Sequence, residues 1–128
     1  LLLDTLSHCD GYVFVRGVEG SPFAPLDRRC PLISKLATKN HEGFSSPDTF
    51  GFSKRDDFTP DTGITTAQSL ALMKTSLQDS RSLVAQWVIY NALMIVSSLK
   101  LSASIDTTKQ QLIDSIDSGL AFSHWNRY

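Results

Sequence analysis

The chain has 128 residues, 41% of them apolar and 20% charged, which suffices for one hydrophobic core, is too short for two independent ones, and is too apolar for a wholly disordered protein. A formal net charge of -1 excludes a global positive field that would draw the protein onto nucleic acid or an anionic membrane, so any such binding has to be local. Glu19 and Glu42 are the only glutamates, so helical Glu–Lys ladders are absent and helices must be stabilised by packing.

In chain order, the first residues fit the end of a helix or an arm. The apolar run Leu1–Leu3 has no basic stretch before it and reads as no cleavable signal, and a start at Leu1 is expected of a fragment or a processed product. Asp10-Gly11 gives a turn, and Tyr12, Val13, Phe14, Val15 and Val18 predict one short strand, closed by Gly17 and Gly20. Pro22, Pro25 and Pro31 keep the next stretch extended or turning, with Pro31 placed to open a short helix through Leu32, Ile33, Lys35 and Leu36.

Residues 39–63 are rich in Gly, Ser, Asp and Pro and show neither apolar period, which predicts a long loop. Phe44, Phe50, Phe52 and Phe58 would anchor that loop to a surface and keep it ordered.

Thr65-Thr66-Ala67-Gln68 reads as a capping box that opens a helix with Leu70, Met73 and Leu77 on its buried face. Asp79, Ser80 or Ser82 would cap a second helix. Over residues 83–101 the wheel places Gln86, Tyr90, Leu93, Ser97 and Lys100 on one narrow stripe and Asn91 and Ser98 on a polar spot, with nearly everything else apolar. Such a helix belongs in the centre of a bundle or in a membrane. Its length would span a bilayer, but its polar residues and its symmetric flanks Arg81 and Lys100 favour burial over spanning. Asp106 would cap a last helix with Leu112, Ile113, Ile116 and Leu120 on one face, weakened near its end by Gly119.

These readings sum to a mainly α fold in a single domain over 1–128. An irregular, arm-like half (1–64) with one short β segment and the long ordered loop precedes a helical half, with the helical core in 65–122. Two further helices and an aromatic loop give scant cover for the apolar helix, so a homo-oligomer or a protein partner is expected, with Trp87, Tyr90, Met94 and Trp125 as contacts. The alternative for the Trp87 and Met94 side chains is simple core packing.

A nucleic-acid-packaging role would use Arg28, Arg29, Lys35, Lys39, Lys54 and Arg55 against phosphates, although Asp27 and Asp56-Asp57 sit beside two of those clusters. For catalysis there is no phosphate-binding Gly-rich loop, no G-x-S-x-G and no H-E-x-x-H, so no catalytic residue and no cofactor is assigned. His8 and Cys9 are neighbours whose side chains point apart, His8, Cys9, Cys30 and His41 match no zinc spacing, and Asp56-Asp57 reads as a turn before it reads as a metal site. One disulfide between Cys9 and Cys30 stays open at this point. The expected role is therefore a non-enzymatic structural or assembly subunit, with nucleic-acid packaging second and a small enzyme third.

Overall fold

Along residues 30–36, Cys30, Leu32 and Ser34 are buried while Pro31 is exposed and Ile33 and Lys35 are half-buried, the two-residue period of a strand. The computed structural model describes residues 9–17, 23–55 and 63–127. It joins β1 (Gly11–Val15), β2 (Cys30–Leu36) and β3 (Lys39–Ser45) into an antiparallel sheet of order β1-β2-β3. A short 3-10 turn follows at Pro47–Phe50, and then helices α1 (Thr66–Ser76), α2 (Leu83–Ser98), α3 (Ile105–Asp117) and α4 (Leu120–Trp125). The described residues are 47% helix and 18% strand, a mixed α/β fold and not the mainly α fold expected from the sequence. The predictions for Leu1 to His8, Val18, Gly20, Pro22 and Asp56 to Phe58 lie outside the described residues.

Two elements account for the difference, and each has a local cause. Pro31 lies inside a strand where a helix start was expected, because its missing N–H costs only one bond, the return bond to Arg16 O at the end of the β1–β2 ladder. Its carbonyl accepts from Arg16 N at 3.2 Å, so its nitrogen also faces the β1 side, just past the last register pair Val15↔Leu32. In β3, a strand replaces the first part of the expected loop. Lys39, Asn40, His41 and Glu42 are all exposed, as on a polar edge strand that resists further pairing, and such a strand shows no apolar alternation to detect. The two-residue turn at Ala37-Thr38 brings it back onto β2, with Ala37 at φ 52 and its N–H donating to Asp10 O at 2.8 Å. Beyond β3, Gly51 ends the 3-10 turn at φ 69, and a Cβ there would stand 3.2 Å from Lys109 Nζ. That ammonium donates to Phe50 O and Gly51 O and sits 4.1 Å from the Phe52 ring centroid, which anchors the aromatic segment to α3.

The helix starts follow the sequence more closely. Thr65 and Gln68 form the expected capping box, and Ser82 caps α2 by accepting from Ala85 N. The cap of α3 is Ser104, with Asp106 inside the first turn. Gly119, at φ 76, separates α3 from α4, so Leu120 belongs to a new helix and is exposed.

Helix α2 is the centre of the molecule because two of its faces are covered by different layers. Tyr90 and Met94 pack with Ala24, Leu26, Cys30 and Leu32, and Trp87 borders them. Ala85, Ile89 and Leu93, spaced by four, pack with Ile116, Leu112 and Ile113 of α3. Phe50 and Phe52 border both clusters, so the core is shared between the two halves of the chain and is not confined to 65–122. Full burial of a side chain such as Leu26 or Leu93 is worth roughly 1.5–3 kcal/mol.

Helix α2 ends in a Schellman motif: Leu101 N donates to Val96 O at 2.9 Å and Lys100 N to Ser97 O at 3.2 Å. Lys100 thereby occupies, at φ 51, a left-handed position that glycine usually fills. Lys100→Gly is expected to raise the unfolding free energy by about 0.5 kcal/mol, read from the urea midpoint.

Candidate functional site

Helix α1 is the part of the fold least covered by its own chain. Its buried residue is Ser76, whose hydroxyl donates to Met73 O at 2.7 Å, and half-buried Ser69 lies seven residues earlier on the same side. The helix thus docks on a serine edge, whereas the predicted apolar face is centred roughly a quarter of the circumference away at 3.6 residues per turn, with Leu77 half-buried at the helix end and Leu70 and Met73 exposed. Leu70, Leu72 and Met73 are 43%, 44% and 47% exposed. On α2, Val88 and Ile95 lie seven residues apart on a common face and are also exposed. The sequence signal for this arrangement is the spacing of Ser69 and Ser76, two small residues that permit close approach. Apolar periodicity alone points to the wrong face.

The residues expected to meet a partner are distributed differently. Tyr90 and Met94 are buried in the chain's own core. Half-buried Trp87 donates through Nε1 to Ala24 O at 2.6 Å and meets Phe23 edge-on at 5.5 Å. Beside it, Asn91 Oδ1 accepts from Ala24 N at 2.8 Å, and its Nδ2 donates to Ala24 O at 3.1 Å and Trp87 O at 2.9 Å. Asn91, one of the two residues of the polar spot that the wheel shows on α2, is therefore a clamp on the segment entering β2. Trp125, near the C-terminal end of the chain, is half-buried against Phe122 and lies 5.8 Å from Lys74 Nζ on α1.

The six basic residues fall into two groups. The bond from Arg55 N to Leu26 O brings Lys54 and Arg55 near Arg28 and Arg29, at the end of the sheet where β2 begins. Arg28 binds the Asp27 carboxylate, Lys54 Nζ lies 3.6 Å from Asp48, and Arg29 stacks 4.7 Å from the Phe44 ring centroid. Lys35 and Lys39 flank the turn at the other end, about 15–20 Å away at some 3.3 Å per residue. The sheet also separates the cysteines. Both are free thiols: Cys9 is exposed before β1, while Cys30 is buried at the far end of β2, too distant to be bridged. The same separation keeps Cys9 and Cys30 from sharing a metal ion with His41. Among the described residues, no group of three His, Cys, Asp or Glu side chains is placed to hold a metal.

Burial pushes the Cys30 thiol above its ordinary value, against hydrogen bonds that lower it, so it stays protonated and a poor nucleophile at neutral pH. Burial likewise raises the neighbouring Tyr90 phenol, whose hydroxyl pairs with Ser45 Oγ at 2.8 Å. Among the described residues, no helix is long and apolar enough to cross a membrane. Compared with known proteins, the chain matches no protein-family model and no curated protein sequence.

Proposed function

We propose that the protein is a non-enzymatic structural or assembly subunit, which joins copies of itself or a partner chain through the apolar faces of α1 and α2. The observation that carries this reading is α1 itself, whose Leu70, Leu72 and Met73 are all close to half exposed while the residue it buries is a serine. A helix gains most of its stability from packing an apolar face, and α1 leaves those side chains to solvent. Completing the burial of Leu70 and Met73, with Val88 and Ile95, would contribute roughly 3–6 kcal/mol before the entropic cost of association. That magnitude suits an association that depends on concentration.

Light scattering over a dilution series should therefore give a mass above 14.1 kDa that rises with concentration. The double substitution Leu70→Asp with Met73→Asp should return it to the monomer value with the far-UV circular dichroism unchanged. A monomer at every concentration, with no partner chain retained by the wild type and lost by the double variant, would overturn the proposal. The ratio of absorbance at 260 and 280 nm, recorded at low and high salt, tests nucleic-acid packaging in the same samples. Arg28 and Lys54 already face carboxylates of this chain, and such pairing reduces the charge left for phosphates.

A further inference from the structure

Between the β2–β3 hairpin and the last turn of α2 lies a cleft of about 490 Å³, within the size range of small-molecule sites, about 300–1,000 Å³. Its floor is apolar, formed by Leu32, Leu36, Phe50 and Met94. Its rim carries two cations, Lys39 from β3 and Lys100 from the end of α2, with the His41 imidazole beside them, and no acidic side chain among the described residues lines it. The register accounts for the rim. Lys39 pairs with Leu36 and His41 with Ser34, and cross-strand partners share a face, so both point to the side on which Leu32 and buried Ser34 meet α2.

Lys100 adds an independent observation. It keeps a left-handed backbone where glycine would be unstrained, and strain held at a cleft rim is a mark of a functional position. The cation also offsets the partial negative charge at the C-terminal end of α2, which by itself would repel an anion.

We propose that this cleft binds a small amphipathic carboxylate, with its apolar chain or ring on Leu32, Leu36, Phe50 and Met94 and its carboxylate between Lys39 and Lys100. Two charge-assisted contacts fix the head, and the hydroxyls of Ser34 and Ser97 are within the lining to complete its hydrogen bonds. This site uses neither α1 nor the exposed face of α2, so it stands or falls separately from the assembly proposal.

The test is calorimetric titration of the full chain with octanoate and with octan-1-ol, accompanied by the methyl resonance of Met94. Octanoate should bind about tenfold or more tightly than the alcohol, since losing one charge-assisted contact is worth roughly that factor, and should shift the Met94 methyl. Lys100→Gly, which leaves the fold at least as stable, and Lys39→Ala should each weaken octanoate about tenfold and leave the alcohol unchanged. Ser97→Phe, which fills the cleft from the helix surface, should remove both ligands. Absence of octanoate binding, equal affinity for the alcohol, or indifference to Lys100→Gly and Lys39→Ala would overturn the proposal.

Discussion

Replacing Tyr90 with alanine is expected to lower the free energy of unfolding by about 4 kcal/mol, a large share of the 5–15 kcal/mol that stabilises a typical domain. The side chain is fully buried, and its ring lies 5.8 Å from Phe50 and 6.2 Å from Phe52. Because those phenylalanines border both apolar clusters, the cavity would loosen the sheet side and the helical side together. Tyr90→Phe keeps the ring and removes the bond to Ser45 Oγ, so its cost should be only about 1 kcal/mol. Urea denaturation of both variants separates packing from hydrogen bonding, and comparable losses would place the contribution in the hydroxyl.

The same pair carries a pH signature. Since burial raises the folded-state phenol above its ordinary value of 10.0, the neutral form is favoured by folding. That contribution is fully present below about pH 10 and is lost as pH rises beyond it, when the unfolded chain ionises first. The wild type should therefore lose stability more steeply above pH 10 than Tyr90→Phe.

Asn91→Leu should cost about 3 kcal/mol and lower the melting temperature by about 10 °C. The substitution nearly preserves volume, so the loss measures the clamp. Ala24 is fully buried, and without Asn91 its N–H has lost its acceptor while its carbonyl keeps only the Trp87 indole. Asn91→Asp offers the acceptor again but aims a carboxylate at the carbonyls of Ala24 and Trp87, so it should rescue little. Near-ultraviolet circular dichroism of Trp87, followed through thermal melts, would report the release. A melting temperature within about 2 °C of wild type in Asn91→Leu would mean that water replaces the amide at no appreciable cost.

What could be read from the sequence was decided over short distances. The Thr65 and Ser82 caps, the strand at Gly11–Val15 and the long helix α2 all rest on signals within a few residues of one another. The expectation failed where pairing across the chain overrides local preference. β3 carries Asn40, Glu42 and Gly43, poor strand formers, and is a strand because β2 offers it a ladder. Pro31 looks like a helix start until Arg16 is placed beside it. On α1, apolar spacing predicted Leu70 and Met73 as the inner face, whereas Ser69 and Ser76 are the residues turned inward. The cleft draws its rim from β3 and the residue after α2, and nothing in the linear spacing of Lys39, His41 and Lys100 announces that they meet.

The turn at Ala37-Thr38 has an effect beyond joining two strands. Because side chains alternate with a period of two, one residue more or less in that turn would exchange Lys39 and His41 for Asn40 and Glu42 on the inner side of β3. A cationic mouth would become one with a carboxylate at its edge, without any substitution in β3. The net positive charge that this cleft offers a visitor is thus a matter of turn length, held by one alanine in a left-handed conformation.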